Sequence, residues 1–293
     1  MSSTVVRFAY LRPDPKYSYE KPFIFESTTS YDVPTRTNTE KDEYASKVED
    51  VRGRESKFTY AEHGFRYLVH HSKIDQSNVD NHDTLGYANE TMELLKNEFN
   101  AERVICYDVR VSIPTTVLWE QLKKITENAY EQPRVPAPPV YAVHIDHTIL
   151  GGFHRARRHF TDEEIRKYLN SGDYRIRIVN TWRPLKEIQA SPLAVCDYHT
   201  LDVSDLMETD LASETYVGET YSLIYNPSHC FYWMSCQKPH ELCVFVTFDS
   251  DNSFPDAPLT TCAHTAFENP LAPVDATPRE SIEVRSLVLT KIR

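Results

Sequence analysis

The chain has 293 residues, 40% hydrophobic and 26% charged, and its 32 Lys+Arg against 43 Asp+Glu give a net charge of −11, a size that suits one large domain or two small ones. An acidic chain without a basic stripe is a poor match for nucleic acid, and no apolar run approaches the roughly 18 residues of a membrane span. With only 7 glycines it has neither G-x-G-x-x-G nor G-x-x-x-x-G-K-[ST], which excludes nucleotide cradles of the Rossmann and P-loop kinds.

The first 60 residues read as an irregular arm, punctuated by Pro13, Pro15, Pro22 and Pro34, with short strands at Thr4 to Tyr10 and Pro22 to Glu26 and a polar, disorder-prone stretch near Thr35 to Lys47. Such an arm suits a lid over a barrel mouth or a homodimer contact. Ser56 to His70 follows, with Tyr60, Phe65, Tyr67 and Leu68 as core candidates. Asp83 and Thr84 open a helix that repeats Leu85, Met92, Leu95 and Phe99. A second helix follows Pro114, with Val117, Leu118, Leu122, Ile125 and Ala129 on one face, and stops before Pro133. The run from Pro133 to Pro139 is a rigid connector. Thr161-Asp-Glu-Glu164 is a capping box for a helix through Tyr168 and Leu169.

After Pro139 the chain otherwise reads as strands. Tyr141 to Leu150, Tyr174 to Trp182, Leu193 to Tyr198, Tyr221 to Tyr225, Cys230 to Met234, Leu242 to Asp249, Thr261 to Phe267 and Ile282 to Ile292 are rich in β-branched and aromatic residues. The natural architecture is a mainly β sandwich or barrel with flanking helices. The six cysteines form no C-x-x-C and follow no signal peptide, which suits reduced thiols in the cytosol.

Val143-His144-Ile145-Asp146-His147 is the first site candidate. Residues two apart on a strand share a face, so His144 and Asp146 present an imidazole and a carboxylate together. A bound cation offsets the cost of burying that carboxylate. A distant histidine on a late strand would complete a set, and His264 is the best placed. His229 and His240 compete from positions nearer turns, beside Pro227 and Pro239. Two histidines and one carboxylate form the facial triad of non-haem Fe(II) oxygenases, with open positions remaining. Without a metal, His264 reads as a satisfied core histidine. Arg279, Ser281, Glu283 and Arg285 share one face by alternation. An arginine with a hydroxyl two residues on can grip a distal carboxylate. The bland alternative is an ion pair with Glu280 or Glu283. Asn180 and Trp182 face inward with Ile176 and Ile178; Asn180 either bonds a ligand near the metal or closes a backbone turn before Pro184. Arg183 faces the other way, towards a carboxylate such as Asp197. Tyr225, Tyr232 and Trp233 line an apolar pocket or are plain core.

The blocks Ala61-Glu-His-Gly-Phe65, Val143-His-Ile-Asp146, His159-Phe-Thr-Asp162, Ile178-Val-Asn-Thr-Trp-Arg-Pro-Leu185, Pro192-Leu-Ala-Val-Cys-Asp197, Tyr232-Trp-Met234, Phe248-Asp-Ser250, His264-Thr-Ala-Phe267 and Pro278-Arg-Glu-Ser-Ile-Glu-Val-Arg285 resemble the hydroxylase/desaturase family of fungal secondary metabolism. The Asn-x-Trp-Arg-Pro-Leu and Pro-Arg-Glu-Ser-Ile-Glu-Val-Arg blocks are the specific ones. The resemblance implies a double-stranded β-helix (jelly-roll) core over residues 140–293 of a single 1–293 oxygenase domain. It implies Fe(II), 2-oxoglutarate as cosubstrate and O2. By it His144, Asp146 and His264 are the iron ligands, and Arg279 and Arg285 the 2-oxoglutarate anchors with Ser281 assisting; Asn180 is a further candidate contact. The sequence departs from the family at Val246, where relatives carry a lysine.

The implied reaction is oxidative C–H abstraction on a small, apolar or partly aromatic metabolite, ending in hydroxylation, desaturation or rearrangement. A jelly-roll metal enzyme of redox-neutral or 2-oxoglutarate-independent chemistry, and a cupin-like binding module, are the alternatives.

Overall fold

The computed structural model describes residues 3–25, 36–73, 84–112, 138–214, 216–253 and 259–292. The expected helix over 117–129, and all but the last two residues of the 133–139 connector, lie outside the described residues. The first part of the chain forms β1 (Ser3–Leu11), β2 (Phe23–Phe25), β3 (Arg36–Thr37), β4 (Lys41–Asp50), α1 (Tyr60–His63), β5 (Phe65–Val69), α2 (Thr84–Glu98) and β6 (Arg103–Ser112). Then come β7 (His144–Ile145), α3 (Ile149–Arg157), α4 (Asp162–Glu164, continued by a π turn over Ile165–Leu169), β8 (Tyr174–Pro184) and β9 (Leu193–Cys196). The last are β10 (Leu206–Ala212), β11 (Val217–Leu223), β12 (Phe231–Trp233), β13 (Glu241–Asp249), β14 (His264–Ala266) and β15 (Ser281–Lys291).

The strands make two sheets. One has ten strands in the order β1-β4-β12-β9-β14-β7-β11-β10-β2-β3, and the other has five in the order β5-β13-β8-β15-β6. Phe65, Trp182 and Phe245 of the smaller sheet pack against Leu193 and Val195 of the larger, so a core layer lies between them. This is the jelly-roll core that the resemblance implies. On its other face the smaller sheet is covered by α2: Leu95 packs with Val179, Val244, Val246 and Val288. Burial on both faces explains why β13 reads Leu-Cys-Val-Phe-Val-Thr-Phe without polar alternation. Fully burying Leu95 contributes about 2 kcal/mol. Val246 belongs to this outer layer under α2, so the position of the missing lysine does not face the metal-site candidates.

The strands expected at Thr4 to Tyr10 and Pro22 to Glu26 form as β1 and β2, but the segment around them is not an irregular arm. β1 and β4 pair antiparallel over their whole lengths, and β4 continues the large sheet through a parallel pairing with β12. β1 buries Val6, Phe8 and Tyr10 while Val5 and Arg7 face out, a strand alternation that no proline interrupts. β4 hides the same pattern behind charged outward residues, with Ser46 and Val48 buried.

Helix α2 forms where expected, with Leu95 and Phe99 packed inward as read, but its first turns turn a different face to the core. Its buried residues are Tyr87, Ala88, Thr91 and Leu95, whereas Leu85 is 71% exposed. Tyrosine and threonine carry this stripe, and hydrophobicity alone does not reveal them. The segment from Tyr141 to Leu150 is not one strand. It pairs at β7 and through a single parallel bridge of Ala142 to Ala9, and then enters α3, because the Thr148 hydroxyl accepts the Gly151 N–H and starts a helix. The capping box at Thr161 and Glu164 is present as read. Strands β6 and β10 were not expected.

Candidate metal centre

β7 is hydrogen-bonded on both sides: Ile145 and His144 pair with Tyr221 and Ser222 of β11, and His144 pairs with His264 of β14. The large sheet therefore brings both histidines to one place. Asp146 follows the last residue of β7, just before the cap of α3, and reaches across towards the smaller sheet.

Each histidine directs Nδ1 at a carbonyl two residues earlier: His144 to Ala142 O at 2.8 Å and His264 to Cys262 O at 3.4 Å. An Nδ1–H donated there leaves the Nε2 lone pair free. The Nε2 atoms of His144 and His264 lie 3.5 Å and 3.9 Å from Asp146 Oδ1. One ligating atom from each of the three residues can be chosen within 4.8 Å of the others.

Electrostatics set the protonation states. Burial pushes the His264 imidazole down to about 3, reinforced by His144 and opposed by Asp146. Burial by itself raises the Asp146 carboxyl, but the Arg285 charge, first among the opposing influences, outweighs it together with the neighbouring imidazoles and holds the group well below the usual carboxylate range. A neutral buried imidazole beside an ionised carboxylate is the donor chemistry of a divalent transition-metal site. The three residues fit an iron ion on that ground.

Beside them opens a cavity of about 90 Å³, lined by His144 and His264, by Arg279 and Ser281, and by apolar walls such as Leu193 and Val140. Arg279 is its unusual feature. Its Nη1 and Nη2 make only long bonds, to Ser191 O at 3.2 Å and Ser112 Oγ at 3.4 Å, and its buried Nε has no hydrogen-bond partner. Among the described residues no carboxylate lies within ion-pair distance of it. Its guanidinium sits 5.6 Å from the Trp182 ring centroid. Burial lowers it to about 10, although Glu283 pulls the other way. A buried guanidinium with no anionic partner fits a ligand carboxylate.

Arg285 is engaged differently. It lines the same cavity, yet its Nε donates to Glu283 Oε1 at 2.7 Å and its Nη2 is 3.3 Å from Asp146 Oδ2. Asn180 is fully buried and does not line the cavity; its Nδ2 donates to Asp146 Oδ2 at 2.7 Å. It closes no turn before Pro184. Trp182, on the same face of β8, does line the cavity, in keeping with the inward face that the Asn-x-Trp spacing gives it.

The competitors fall elsewhere. His229 bonds Asp205 at 3.1 Å, and His240 stacks on His71. His147, next to Asp146, turns its Nε2 to Tyr107 Oη at 3.0 Å. Arg183 does not reach Asp197; it is buried and bonds Tyr87 Oη, His70 and the Pro239 carbonyl. Tyr225 stacks on Tyr44 and Trp233 packs on Phe267, both in the core. Tyr232 packs on Phe58 and Phe65.

A family model described as an oxidoreductase/YMDC permease-like domain matches residues 8–289. The chain is 27% identical to the alpha-ketoglutarate-dependent dioxygenase tstK of Talaromyces stipitatus, over 94% of this chain and 99% of the relative. It is 29% identical to the hydroxylase/desaturase efuI of Hormonema carpetanum, over 82% of each. Its fold superposes on the iron and alpha-ketoglutarate-dependent endoperoxidase NvfI with a TM-score of 0.79 at 23% identity, covering 99% of this chain and 98% of that one. These relatives bear out the resemblance read from the sequence blocks.

Proposed function

From the chain's membership of the oxidoreductase/YMDC permease-like domain family, we propose that it is an Fe(II)- and 2-oxoglutarate-dependent oxygenase acting on a small molecule of secondary metabolism. The observation that carries this reading is the buried guanidinium of Arg279, which among the described residues has no carboxylate in ion-pair reach and an Nε without a hydrogen-bond partner, beside the His144, Asp146 and His264 cluster. One group calls for a carboxylate and the other for a metal, and 2-oxoglutarate joins the two needs in one molecule. When bound, Fe(II) with 2-oxoglutarate supplies the power to use O2 for C–H abstraction, with succinate and CO2 as coproducts.

The residues have separate tasks. His144 and His264 offer Nε2 lone pairs, and Asp146 offers its ionised carboxylate. Arg279, backed by Trp182 and with Ser281 on the same wall, holds the distal carboxylate of the cosubstrate. Leu193, Val140 and Val111 give the cavity apolar walls, which suits an apolar or partly aromatic substrate. Hydroxylation, desaturation and rearrangement all begin from the same abstraction. All six cysteines are free thiols, in keeping with work in a reducing cytosol. No described helix is long and apolar enough to cross a membrane.

The test is succinate formation by the purified metal-free protein. Turnover that requires Fe(II), 2-oxoglutarate and O2 together is the expected result. Fe(II) binding without any 2-oxoglutarate turnover would move the site to redox-neutral or 2-oxoglutarate-independent chemistry. Failure to bind Fe(II) would leave a cupin-like binding module.

A further inference from the structure

Asn180 and Arg285 face each other in the antiparallel pairing of β8 and β15. Both side chains end on the same carboxylate. Asn180 Nδ2 donates to Asp146 Oδ2 at 2.7 Å, and Arg285 Nη2 lies 3.3 Å from Asp146 Oδ1 and from Oδ2. Each of the two is itself held. The Thr247 hydroxyl donates to Asn180 Oδ1 at 3.3 Å, which orients the amide with its NH2 towards Asp146. Glu283 Oε1 accepts from Arg285 Nε at 2.7 Å, which fixes the plane of the guanidinium. The two oxygens of Asp146 are therefore not equivalent. Oδ1 faces the histidine Nε2 atoms, and Oδ2 is occupied by the Asn180 amide.

We propose that Asn180 and Arg285 are positioning residues that hold Asp146 as a one-oxygen metal ligand, and that neither is a contact of the cosubstrate. This rests on the reading of the cluster as an Fe(II) centre. The physical case is one of counting. A carboxylate that ligates through both oxygens takes two coordination positions, and a facial triad needs three positions free for a chelating 2-oxo acid and O2. Drawing Oδ2 to the metal would forfeit a hydrogen bond to an ionised acceptor. Arg285, 3.3 Å from both oxygens, balances the carboxylate's charge without favouring either one, so the distinction between them rests on Asn180. The register of β8 and β15 sets both contacts at once, so the smaller sheet aims a ligand carried by the larger one.

Fe(II) affinity of the metal-free protein, measured by competition with a chromophoric chelator, tests the assignment. Asn180→Ala is expected to weaken Fe(II) binding by about 10- to 100-fold, the usual effect of losing an outer partner of a metal ligand. The visible spectrum of the Co(II)-loaded protein should change as Asp146 becomes free to ligate through both oxygens. 2-Oxoglutarate affinity, read from its spectral shift on the Co(II) form, should be unchanged. Arg285→Gln should weaken metal in the same sense. Thr247→Val, which keeps the volume and removes the hydroxyl, should give a smaller loss of the same sign, and it serves if Asn180→Ala does not fold. Wild-type Fe(II) affinity and Co(II) spectrum in these variants would overturn the assignment, as would a loss confined to 2-oxoglutarate affinity. If the wild-type protein itself bound no Fe(II), the proposed function would fail and this assignment with it.

Discussion

His144 and His264 are direct cross-strand neighbours in the β7–β14 pairing, with ring centroids 4.3 Å apart. Backbone register, not side-chain reach, therefore brings the two imidazoles together. A slip of one residue in either strand would turn one of them to the opposite face. Ladders to β11 on one side and to β9 on the other hold the pair in place.

Asp146→Asn should abolish Fe(II)-dependent succinate formation. The amide keeps the shape of the side chain and an acceptor for Asn180, so the fold is expected to survive, whereas a neutral amide is a poor metal ligand. Chromatographic assay of succinate against an unchanged circular dichroism spectrum checks this. Retained turnover would remove Asp146 from the proposed ligand set.

Arg279→Gln should raise the KM for 2-oxoglutarate. Hydrogen bonds to charged groups are worth about 1.5–3 kcal/mol each, which corresponds to roughly 10- to 100-fold. Fe(II) affinity should stay at the wild-type value because, among the described residues, Arg279 bonds Ser191 and Ser112 and none of the three proposed ligands. Steady-state kinetics with varied 2-oxoglutarate gives the answer, and an unchanged KM would send the search for the anchor to another cation.

Acid should destabilise the metal-free protein. Burial pushes both His147 and His264 down to about 3 from 6.5. Between those values the unfolded chain binds more protons than the folded one, so stability is full above about pH 6.5 and falls as pH drops through the window. Asp146 acts in the same direction, since a carboxyl held low in the fold loses its advantage as pH falls through the usual carboxylate range. Melting temperatures across this window should decline steadily with acid; a flat profile would contradict the buried neutral imidazoles.

Gly64→Ala should cost about 1 kcal/mol or more, read as a fall in Tm of at least about 2 °C. Gly64 ends α1 in the left-handed region at φ 78°, and an added Cβ would lie 2.6 Å from Cys262 Sγ. Cys262 offers its carbonyl to His264 Nδ1, so Fe(II) binding should weaken along with stability.

Long apolar strands were legible in the sequence. β8, β13 and β15 announce themselves because a doubly covered sheet leaves little room for polar residues. β10 was not legible: Leu206–Ala212 is half exposed and carries Glu208, Thr209 and Asp210, so its pattern is that of a loop. β6 carries apolar residues at Val104, Ile105, Val109 and Val111, a signal that was present and passed over. At the site, residue types foretold the cluster, but not partner choice. Alternation places Arg279 and Arg285 on one face; only the fold shows that Glu283 and Asp146 occupy Arg285 while Arg279, among the described residues, forms no ion pair. The strand rule for His144 and Asp146 also reached its goal by a different route, because β7 ends before Asp146.

The histidines sit on the ten-stranded sheet, whereas Arg279 leads into β15 of the five-stranded one. On the proposed reading, 2-oxoglutarate is then a clasp as well as a reactant: one end is fastened through the metal to the larger sheet, the other to the smaller. Its binding free energy is added to the cohesion of the whole sandwich, by the linkage that couples any native-state ligand to unfolding.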